Sequence, residues 1–257
     1  MNNSLKSAVL ERLTTQFVGR NLLYFASTTS TNDVARQAAR EGAPEGTAVV
    51  AEEQTEGRAR LGRSWINPPG VLAVSIILRP PLHQLLGITI VSSLATSRCI
   101  RKATGLEPRI KWPNDVLLKG LKVSGILTES ALRGQSVDWA VTGIGINVNF
   151  DPAAFPEISS MATSLSNELG RQVSQVDVLV HLFQEFEELY LALRRGEPIH
   201  LEWKGIMDTL GRHIRVTSGK LVEEGYADSV GADGSLLLRR SDGSLARIIA
   251  GEVTLRT

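Results

Sequence analysis

The amino-acid sequence predicts an α+β protein, in which a mixed β-sheet flanked by helices is followed by a small C-terminal β-barrel. Helical and strand-like periodicities are interleaved over most of the chain. After Gly211 only short β-type runs remain, and turn pairs such as Asp233–Gly234 and Asp242–Gly243 separate them. We therefore expect a main domain over residues 1–208 and a small β-barrel domain over residues 209–257.

The first half of the chain is predicted to alternate strands and helices. A helix beginning at Asp33 is favoured because helix-capping residue types precede it, and Gly42 and Pro44 end it. The apolar run Val71–Leu78 is typical of a strand that is buried on both faces. In chain order, the predicted elements are a strand at Leu22–Ala26, a helix at Asp33–Glu41, a strand at Thr47–Glu52, a loop from Gln54 to Trp65, a strand at Val71–Leu78 and a helix at Leu85–Ala103.

The second half is predicted to continue this alternation and then to become all-β. The two glycines and two asparagines of Val137–Phe150 suggest that a ligand lies against that strand. The predicted elements are strands at Arg109–Leu118, Lys122–Ser130 and Val137–Phe150, helices at Val176–Arg195 and Pro198–Leu210, and short strands at Ile214–Thr217, Glu224–Ser229, Leu236–Arg239, Ala246–Ala250 and Val253–Arg256.

Composition and charge argue against several classes of function. The formal net charge of +1 provides no overall field that would collect nucleic acid or an anionic membrane. The single cysteine, Cys99, cannot form an intramolecular disulfide, which is typical of a reducing compartment. The start of the chain lacks the apolar run of a signal peptide, and the apolar stretch Leu85–Ile100 is too short and too polar to span a bilayer. We therefore expect a cytoplasmic protein without membrane contacts.

Residues 57–63 form a basic loop. Arg58, Arg60 and Arg63 place three guanidinium groups in a segment that offers almost nothing apolar to bury. Because these charges repel one another, the loop needs an anion to order it, and guanidinium groups suit carboxylate and phosphate oxygens. A solvated surface loop and a nucleic-acid contact are open alternatives for this loop.

A second chemically dense segment, Lys111–Asp115, has the sequence Lys-Trp-Pro-Asn-Asp. Its proline fixes the backbone, so Asn114 and Asp115 would be held in a defined place at a sheet edge, a bulge or a strand end. The predicted strand that follows carries Lys122, and its Gly125 leaves room for a ligand to approach.

Two lysines, an aspartate and an amide on neighbouring strands suit the adenylation of a carboxylic acid. The carboxylate must attack the α-phosphate of ATP, so two anions have to be brought together, and lysine side chains can offset their charge. An acidic residue can hold Mg²⁺ or accept a proton. A surface network of salt bridges is the structural alternative for the same residues.

Five segments, in this order along the chain, resemble the biotin–protein ligase family. Residues 57–63 are similar to its Gly-Arg-Gly-Arg-x-Gly-Arg signature, and residues 111–115 match its Lys-Trp-Pro-Asn-Asp signature in full. The other three are the triplet Ser30–Asn32, the element Lys122–Leu127 and the later element Gly143–Val148. The resemblance extends from about residue 22 to the C-terminus, and the two long signatures are highly specific.

The resemblance implies an enzyme that forms biotinyl-5′-AMP from biotin and MgATP and then transfers biotin to a lysine of a biotin carboxyl carrier protein. Residues 1–208 would be its catalytic domain. Family members commonly pair through the main sheet, so the resemblance leaves a homodimer open. The implied biotin-binding residues are Ser30, Thr31, Asn32, Gln54, Arg58, Ala59, Arg60, Lys122 and Gly125. The implied ATP- and adenylate-binding residues are Arg58, Arg60, Arg63, Trp65, Lys111, Asn114 and Asn147. The implied catalytic residues are Lys122, Asp115, Lys111 and Arg60, with Asp115 also a ligand of Mg²⁺.

Two features set this chain apart within the family pattern. Ala59 stands where the family usually has glycine, and a positive backbone angle there would cost alanine about 1 kcal/mol. Some family members carry an N-terminal helix-turn-helix that binds DNA. Only about 20 residues of this chain precede the first predicted strand, so we expect no direct operator binding.

Three competing interpretations use the same residues. A lipoate or octanoate ligase or transferase would share the catalytic fold, although the arginine loop and residues 111–115 argue against it. A nucleic-acid or protein-interaction module would rely on the basic loop and the C-terminal barrel, and the near-neutral charge argues against nucleic acid. Ser30 and Asp33 could also form a helix-capping pair that has no ligand-binding role.

Overall fold

The structure is a computed structural model that describes residues 3–219 and 221–255. The helices are α1 (Asn3–Arg12), α2 (Thr31–Arg40), α3 (Gly87–Thr104), α4 (Leu165–Leu169), α5 (Gln175–Arg194) and α6 (His200–Gly205). The strands are β1 (Leu22–Thr28), β2 (Ala48–Gln54), β3 (Val71–Leu78), β4 (Arg109–Lys111), β5 (Asp115–Leu118), β6 (Leu121–Arg133), β7 (Ser136–Asn147), β8 (His213–Ser218), β9 (Leu221–Val230), β10 (Leu236–Arg239), β11 (Leu245–Ile248) and β12 (Glu252–Leu255).

Seven strands form one mixed sheet in the order β1-β2-β3-β7-β6-β5-β4. The β1–β2 pair is parallel, whereas the other neighbouring pairs are antiparallel. The central strand β3 is buried along its whole length, as its continuous apolar run predicts. The predicted α+β class with a mixed sheet and flanking helices is confirmed.

Helices cover both faces of this sheet. On one face, α3 and α5 pack on the main core, and alternate β3 residues such as Leu72, Val74 and Ile76 point into it. On the other face, α2 packs on a smaller cluster that includes Ile77 and Val141. Because side chains alternate along a strand, Ser75 lies on the α2 face with Ile77.

The predicted single strand Arg109–Leu118 is wrong. The chain instead forms β4 and β5, which pair with each other in antiparallel fashion, with Lys111 opposite Asp115. The turn between them holds a cis peptide bond between Trp112 and Pro113. Proline cannot donate to a sheet ladder, which suits a turn at this position. The reversal brings both ends of the motif to one place.

Other elements also differ from the sequence prediction, most of them by shifts of one to three residues at their ends. Helices α1 and α4 were not predicted. The helix predicted at Pro198–Leu210 is shorter, because residues after α6 leave the helix and form a parallel bridge between Ile110 and Met207 beside β4. Residue 256, at the end of the last predicted strand, lies outside the described residues.

The C-terminal strands form a five-stranded antiparallel sheet in the order β11-β10-β9-β8-β12. The predicted small antiparallel β unit is therefore confirmed, while its closure into a barrel stays a prediction. Its apolar residues Ile214, Leu236 and Leu238 belong to the same buried cluster as the core of the main sheet. The division at residue 208 also stays a prediction, and the packing across it is continuous.

Within the described part of the chain, none of the helices combines the length and apolarity that crossing a membrane requires.

Candidate active site

A cavity of about 530 Å³ lies on the α2 side of the main sheet. All fifteen residues that the sequence analysis selected line it: Ser30, Thr31, Asn32, Gln54, Arg58, Ala59, Arg60, Arg63, Trp65, Lys111, Asn114, Asp115, Lys122, Gly125 and Asn147. The segments that carry them are far apart in sequence. The basic loop and the lysines thus line one cavity and do not lie on separate surfaces, while the individual roles of the residues stay a prediction.

Three glycines of β6 and β7 form the floor of this cavity. The register places Gly125 opposite Gly145, and Gly143 lies two residues earlier on the same face. A Cβ atom at Gly145 would lie 2.5 Å from the indole of Trp65, and one at Gly143 would lie 2.3 Å from Asn32 Oδ1. The glycines thus allow two predicted site residues to lie directly against the sheet.

The N-terminus of α2 contributes a polar cluster to one end of the cavity. Gln54 Oε1 accepts a hydrogen bond from the backbone N–H of Thr31 at 2.7 Å. Ser75 Oγ lies 2.8 Å from Thr31 Oγ1 and 2.7 Å from Asn32 Oδ1. Thr31, Asn32 and Ser75 are all buried, so these hydrogen bonds fix polar groups in a small space shielded from solvent that suits a compact polar ligand.

The capping alternative for Ser30 is wrong. Ser30 occupies the N-cap position of α2, but its side chain makes no capping hydrogen bond. Asp33 instead forms ion pairs with Arg36 and, at 2.6 Å, with Arg58. The Ser30 side chain is consequently not needed to cap the N-terminus of α2, and it lines the cavity.

The basic loop folds as a small hairpin over the cavity. Trp65 N–H donates to Gly57 O at 2.8 Å, and Ala59 N–H donates to Arg63 O at 2.8 Å. Arg58 and Ser64 form an antiparallel bridge between these two contacts. The hairpin brings the indole of Trp65 inward, although its Nε1 is buried without a hydrogen-bond partner. A ligand that offers an acceptor there would satisfy it.

The arginines of the loop point to different partners. Arg58 pairs with Asp33 and, at 2.7 Å, with Glu129. Burial lowers the pKa of the Arg58 guanidinium, but these two carboxylates raise it further than burial lowers it. Arg60 Nη1 donates to Asn114 Oδ1 at 2.7 Å.

The electrostatics of Arg60 favour an anion in the cavity. Burial lowers the pKa of its guanidinium, and the charges of Asp115 and Glu252 oppose that effect only in part. A half-buried cation whose pKa is lowered in this way gains from a nearby negative charge. A carboxylate or phosphate in the cavity would therefore stabilise the charged form of Arg60.

Lys122 and Asp115 lie at the centre of the site. Lys122 Nζ is 2.7 Å from Asp115 Oδ1 and 5.5 Å from the centre of the Trp65 ring. The carboxylate oxygen makes this ion pair without a well-angled hydrogen bond. Asn114 anchors the segment, since it exchanges hydrogen bonds with the backbone of Ile126 at 3.0 Å. Lys111 lines the cavity from the end of β4.

Several residues of the site carry no motif that sequence reasoning could detect. Ser75 and Glu129 do not line the cavity, but each hydrogen-bonds to Asn32, and the register of β3, β6 and β7 places them there. Glu252, from the C-terminal sheet, pairs with Arg63 at 2.8 Å. The segment before α4 also lines the cavity, because Met161 O accepts a hydrogen bond from Lys122 N–H at 2.8 Å. Asn147 holds this segment by donating to Thr163 O at 2.9 Å.

A family model described as the biotin/lipoate A/B protein ligase family matches residues 24–147. The bifunctional ligase/repressor of Bacillus subtilis is 36% identical over 249 residues, which cover 95% of this chain and 76% of that protein. The biotin–[acetyl-CoA-carboxylase] ligase of Paracoccus denitrificans is 34% identical over 205 residues, which cover 74% of this chain and 83% of that protein. This chain belongs to the biotin–protein ligase family.

A solved structure agrees with this family membership. The biotin protein ligase of Aquifex aeolicus, in complex with biotin and ATP, matches with a TM-score of 0.81 and 29% identity. The match covers 92% of this chain and 99% of that one. The main sheet and the C-terminal strands of this chain are therefore both part of a fold that it shares with that family member.

Proposed function

We propose that this protein is an ATP-dependent biotin–protein ligase that first makes biotinyl-5′-AMP and then biotinylates a lysine of a carrier protein. The observation that carries this proposal is the convergence of Arg60, Lys111 and Lys122 with the polar cluster of α2 on one cavity. Cations at one end suit two acids that repel each other, and neutral hydrogen-bonding groups at the other end suit the ureido head of biotin.

The first step joins biotin to AMP. A carboxylate oxygen of biotin attacks the α-phosphorus of ATP, a phosphorus–oxygen bond forms, and pyrophosphate leaves with the electrons of the bond that breaks. Lys122 binds the carboxylate and the α-phosphate, while Arg60, Arg63 and Lys111 offset the charge of the polyphosphate. The ring of Trp65 contacts the adenine. Asn147 holds the segment before α4 beside the cavity.

The second step transfers biotin to the acceptor lysine. The amine attacks the carbonyl carbon of the mixed anhydride, AMP leaves, and the amine loses a proton to Asp115. An anion bound to Lys122 competes with Asp115 for the same ammonium group, which lies 2.7 Å from the carboxylate. The competition leaves the carboxylate able to accept the proton.

Magnesium fits this site as a companion of ATP. Among the described residues, no group of three histidine, cysteine or acidic side chains could hold a metal ion by itself. Mg²⁺ commonly binds through one or two carboxylates together with substrate phosphates, and Asp115 supplies one carboxylate in the cavity. When bound, the ion would neutralise phosphate charge.

The proposed reaction also implies an acceptor protein and a cellular compartment. The acceptor is a biotin carboxyl carrier domain, which presents one lysine to the mouth of the cavity. The cytoplasm supplies ATP and keeps the buried Cys99 as a free thiol. Two chains can pair through the main sheet, and mass photometry would measure that association.

The test is to mix the protein with MgATP, a carboxyl carrier domain and either biotin or lipoate, and then to weigh the carrier. We expect the mass of one biotinyl group on the carrier with biotin and no change with lipoate. Modification with lipoate alone would support the lipoate ligase alternative and would contradict this proposal.

A further inference from the structure

Glu129 connects two parts of the site that the sequence keeps apart. It lies on β6, opposite Val141 and on the same face as Gly125. Its Oε1 accepts hydrogen bonds from Arg58 Nη2 at 2.7 Å and from Arg36 Nη1 at 3.3 Å. Its Oε2 accepts a hydrogen bond from Asn32 Nδ2 at 2.9 Å. One carboxylate thus holds both the arginine loop and the N-terminus of α2.

These contacts fix the orientation of the Asn32 amide. Its Nδ2 donates to Glu129 and, at 3.4 Å, to Leu127 O, so both of its hydrogens are engaged. Its Oδ1 lies 2.7 Å from Ser75 Oγ and close to Gly143, where a Cβ atom would collide with it. Only a remaining lone pair of Oδ1 is left for a ligand, so Asn32 would serve as an acceptor.

We propose that Glu129 is a positioning residue that couples closure of the arginine loop to recognition of the ligand's head group. This inference rests on the proposed function and deepens it. Glu129 holds Asn32 as an acceptor for an N–H group, as a cyclic urea provides, and the same carboxylate holds Arg58 in the closed hairpin. A head group that hydrogen-bonds to Asn32 stabilises this arrangement, and with it the loop that covers the cavity.

The Glu129→Gln variant tests the coupling, because glutamine keeps the shape but loses the charge and presents N–H donors to groups that are themselves donors. In biotin-dependent ATP–pyrophosphate exchange, we expect the KM for biotin to rise roughly tenfold or more while kcat and the KM for ATP change by less than about threefold. Trypsin should also cleave the Arg58–Arg63 loop several-fold faster in the variant when no ligand is present.

A matched control is Glu188→Gln. Glu188 also accepts a hydrogen bond from an arginine, Arg98, at 2.9 Å, but it lies outside the cavity and its side chain is 65% exposed. This variant should match the wild-type protein in the KM for biotin and in the rate of loop cleavage. If Glu129→Gln does not fold, Glu129→Asp takes its place. The shorter side chain cannot reach both Arg58 and Asn32, so the KM for biotin should rise again.

The outcomes separate this inference from the proposed function. Wild-type values of both the KM for biotin and the cleavage rate in the Glu129 variant would overturn the coupling. Faster cleavage with an unchanged KM would overturn it as well, since the loop would then act without Asn32. Absence of biotin-dependent exchange in the wild-type protein would contradict the proposed function itself, while the cleavage rates would still report whether Glu129 holds the loop.

Discussion

Lys122 is the residue at which the charges of the site meet. Its ammonium contacts Asp115 at 2.7 Å, lies near the face of the Trp65 ring and is partly shielded from solvent. A cation that is held by a carboxylate before substrates arrive needs little reorganisation when an incoming anion replaces that carboxylate. This position suits the proposed role of Lys122, which is to bind both the biotin carboxylate and the α-phosphate.

Replacing Lys122 with alanine should therefore abolish adenylation. The expected loss in biotin-dependent ATP–pyrophosphate exchange is roughly 100-fold or more, because the charge is removed where two anions meet. Lys204→Ala is the control, since Lys204 is exposed on α6 and does not line the cavity. Near-normal exchange in Lys122→Ala would defeat the assignment.

The predictability of single residues depended on whether they lie in a dense motif. Residues 57–63 and 111–115 each concentrate unusual chemistry in a few positions, so their charge and rigidity could be interpreted without a structure. Ser75 and Glu129 are isolated residues in ordinary strand sequences. Their place in the site depends on sheet register, such as Ser75 opposite Gly143, which the sequence does not specify.

At the scale of elements, the basic loop needs no glycine at position 59 in the observed conformation. Ala59 has φ −125° and ψ 177°, which is extended backbone that any residue adopts. The left-handed positions of the hairpin are Leu61, with φ 58°, and Gly62, with φ 71°. The family departure at Ala59 therefore carries no backbone strain, whereas Leu61 does carry some.

The Ala59→Gly variant should loosen the loop rather than improve it. Glycine adds freedom to the open state and should weaken closure by about 0.5–1 kcal/mol. We expect the enzyme to release biotinyl-AMP roughly two- to fivefold faster, as measured by loss of the adenylate after gel filtration. Slower release from the variant would mean that closure requires a positive backbone angle at residue 59.

At the scale of the whole molecule, the C-terminal sheet is joined to the site through Trp112. Its Nε1 donates to Gly234 O, in the turn between β9 and β10, at 2.9 Å, and its backbone N–H donates to Thr209 Oγ1 at 2.8 Å. Trp112 is buried in the core that both sheets share. The segment Lys111–Asp115 that contains it is therefore held from the C-terminal side as well as from the main sheet.

Trp112→Phe should lower the free energy of unfolding by about 1–3 kcal/mol, because the partly buried Gly234 carbonyl loses its partner. A loss of this size lowers Tm by several degrees in a chain of this length. Trp139→Phe is the control, since Trp139 packs against Arg40 on the α2 face of the main sheet. Differential scanning calorimetry measures the Tm of both variants. Equal Tm values for Trp112→Phe and wild type would contradict a stabilising role of the hydrogen bond from Trp112 to Gly234.

Periodicity predicted most of the helices and strands, but neither the chain reversal between β4 and β5 nor the packing between the two sheets. Val71–Leu78 and Leu236–Arg239 were predicted to the residue, because apolar runs bounded by turns define such strands. The reversal at Trp112–Pro113 was missed, since a proline next to β-type residues is compatible with several strand ends. The shared core was also missed, because packing between two units leaves no local pattern.

The most direct test of the central claim is whether one cavity captures both acids as a single product. The protein is incubated with biotin and MgATP without a carrier, desalted, and analysed by native mass spectrometry. We predict about one retained biotinyl-AMP per chain in the wild-type protein and none in Lys122→Ala. Retention of biotin and ATP as separate molecules, or equal retention of the adenylate by Lys122→Ala, would contradict the account.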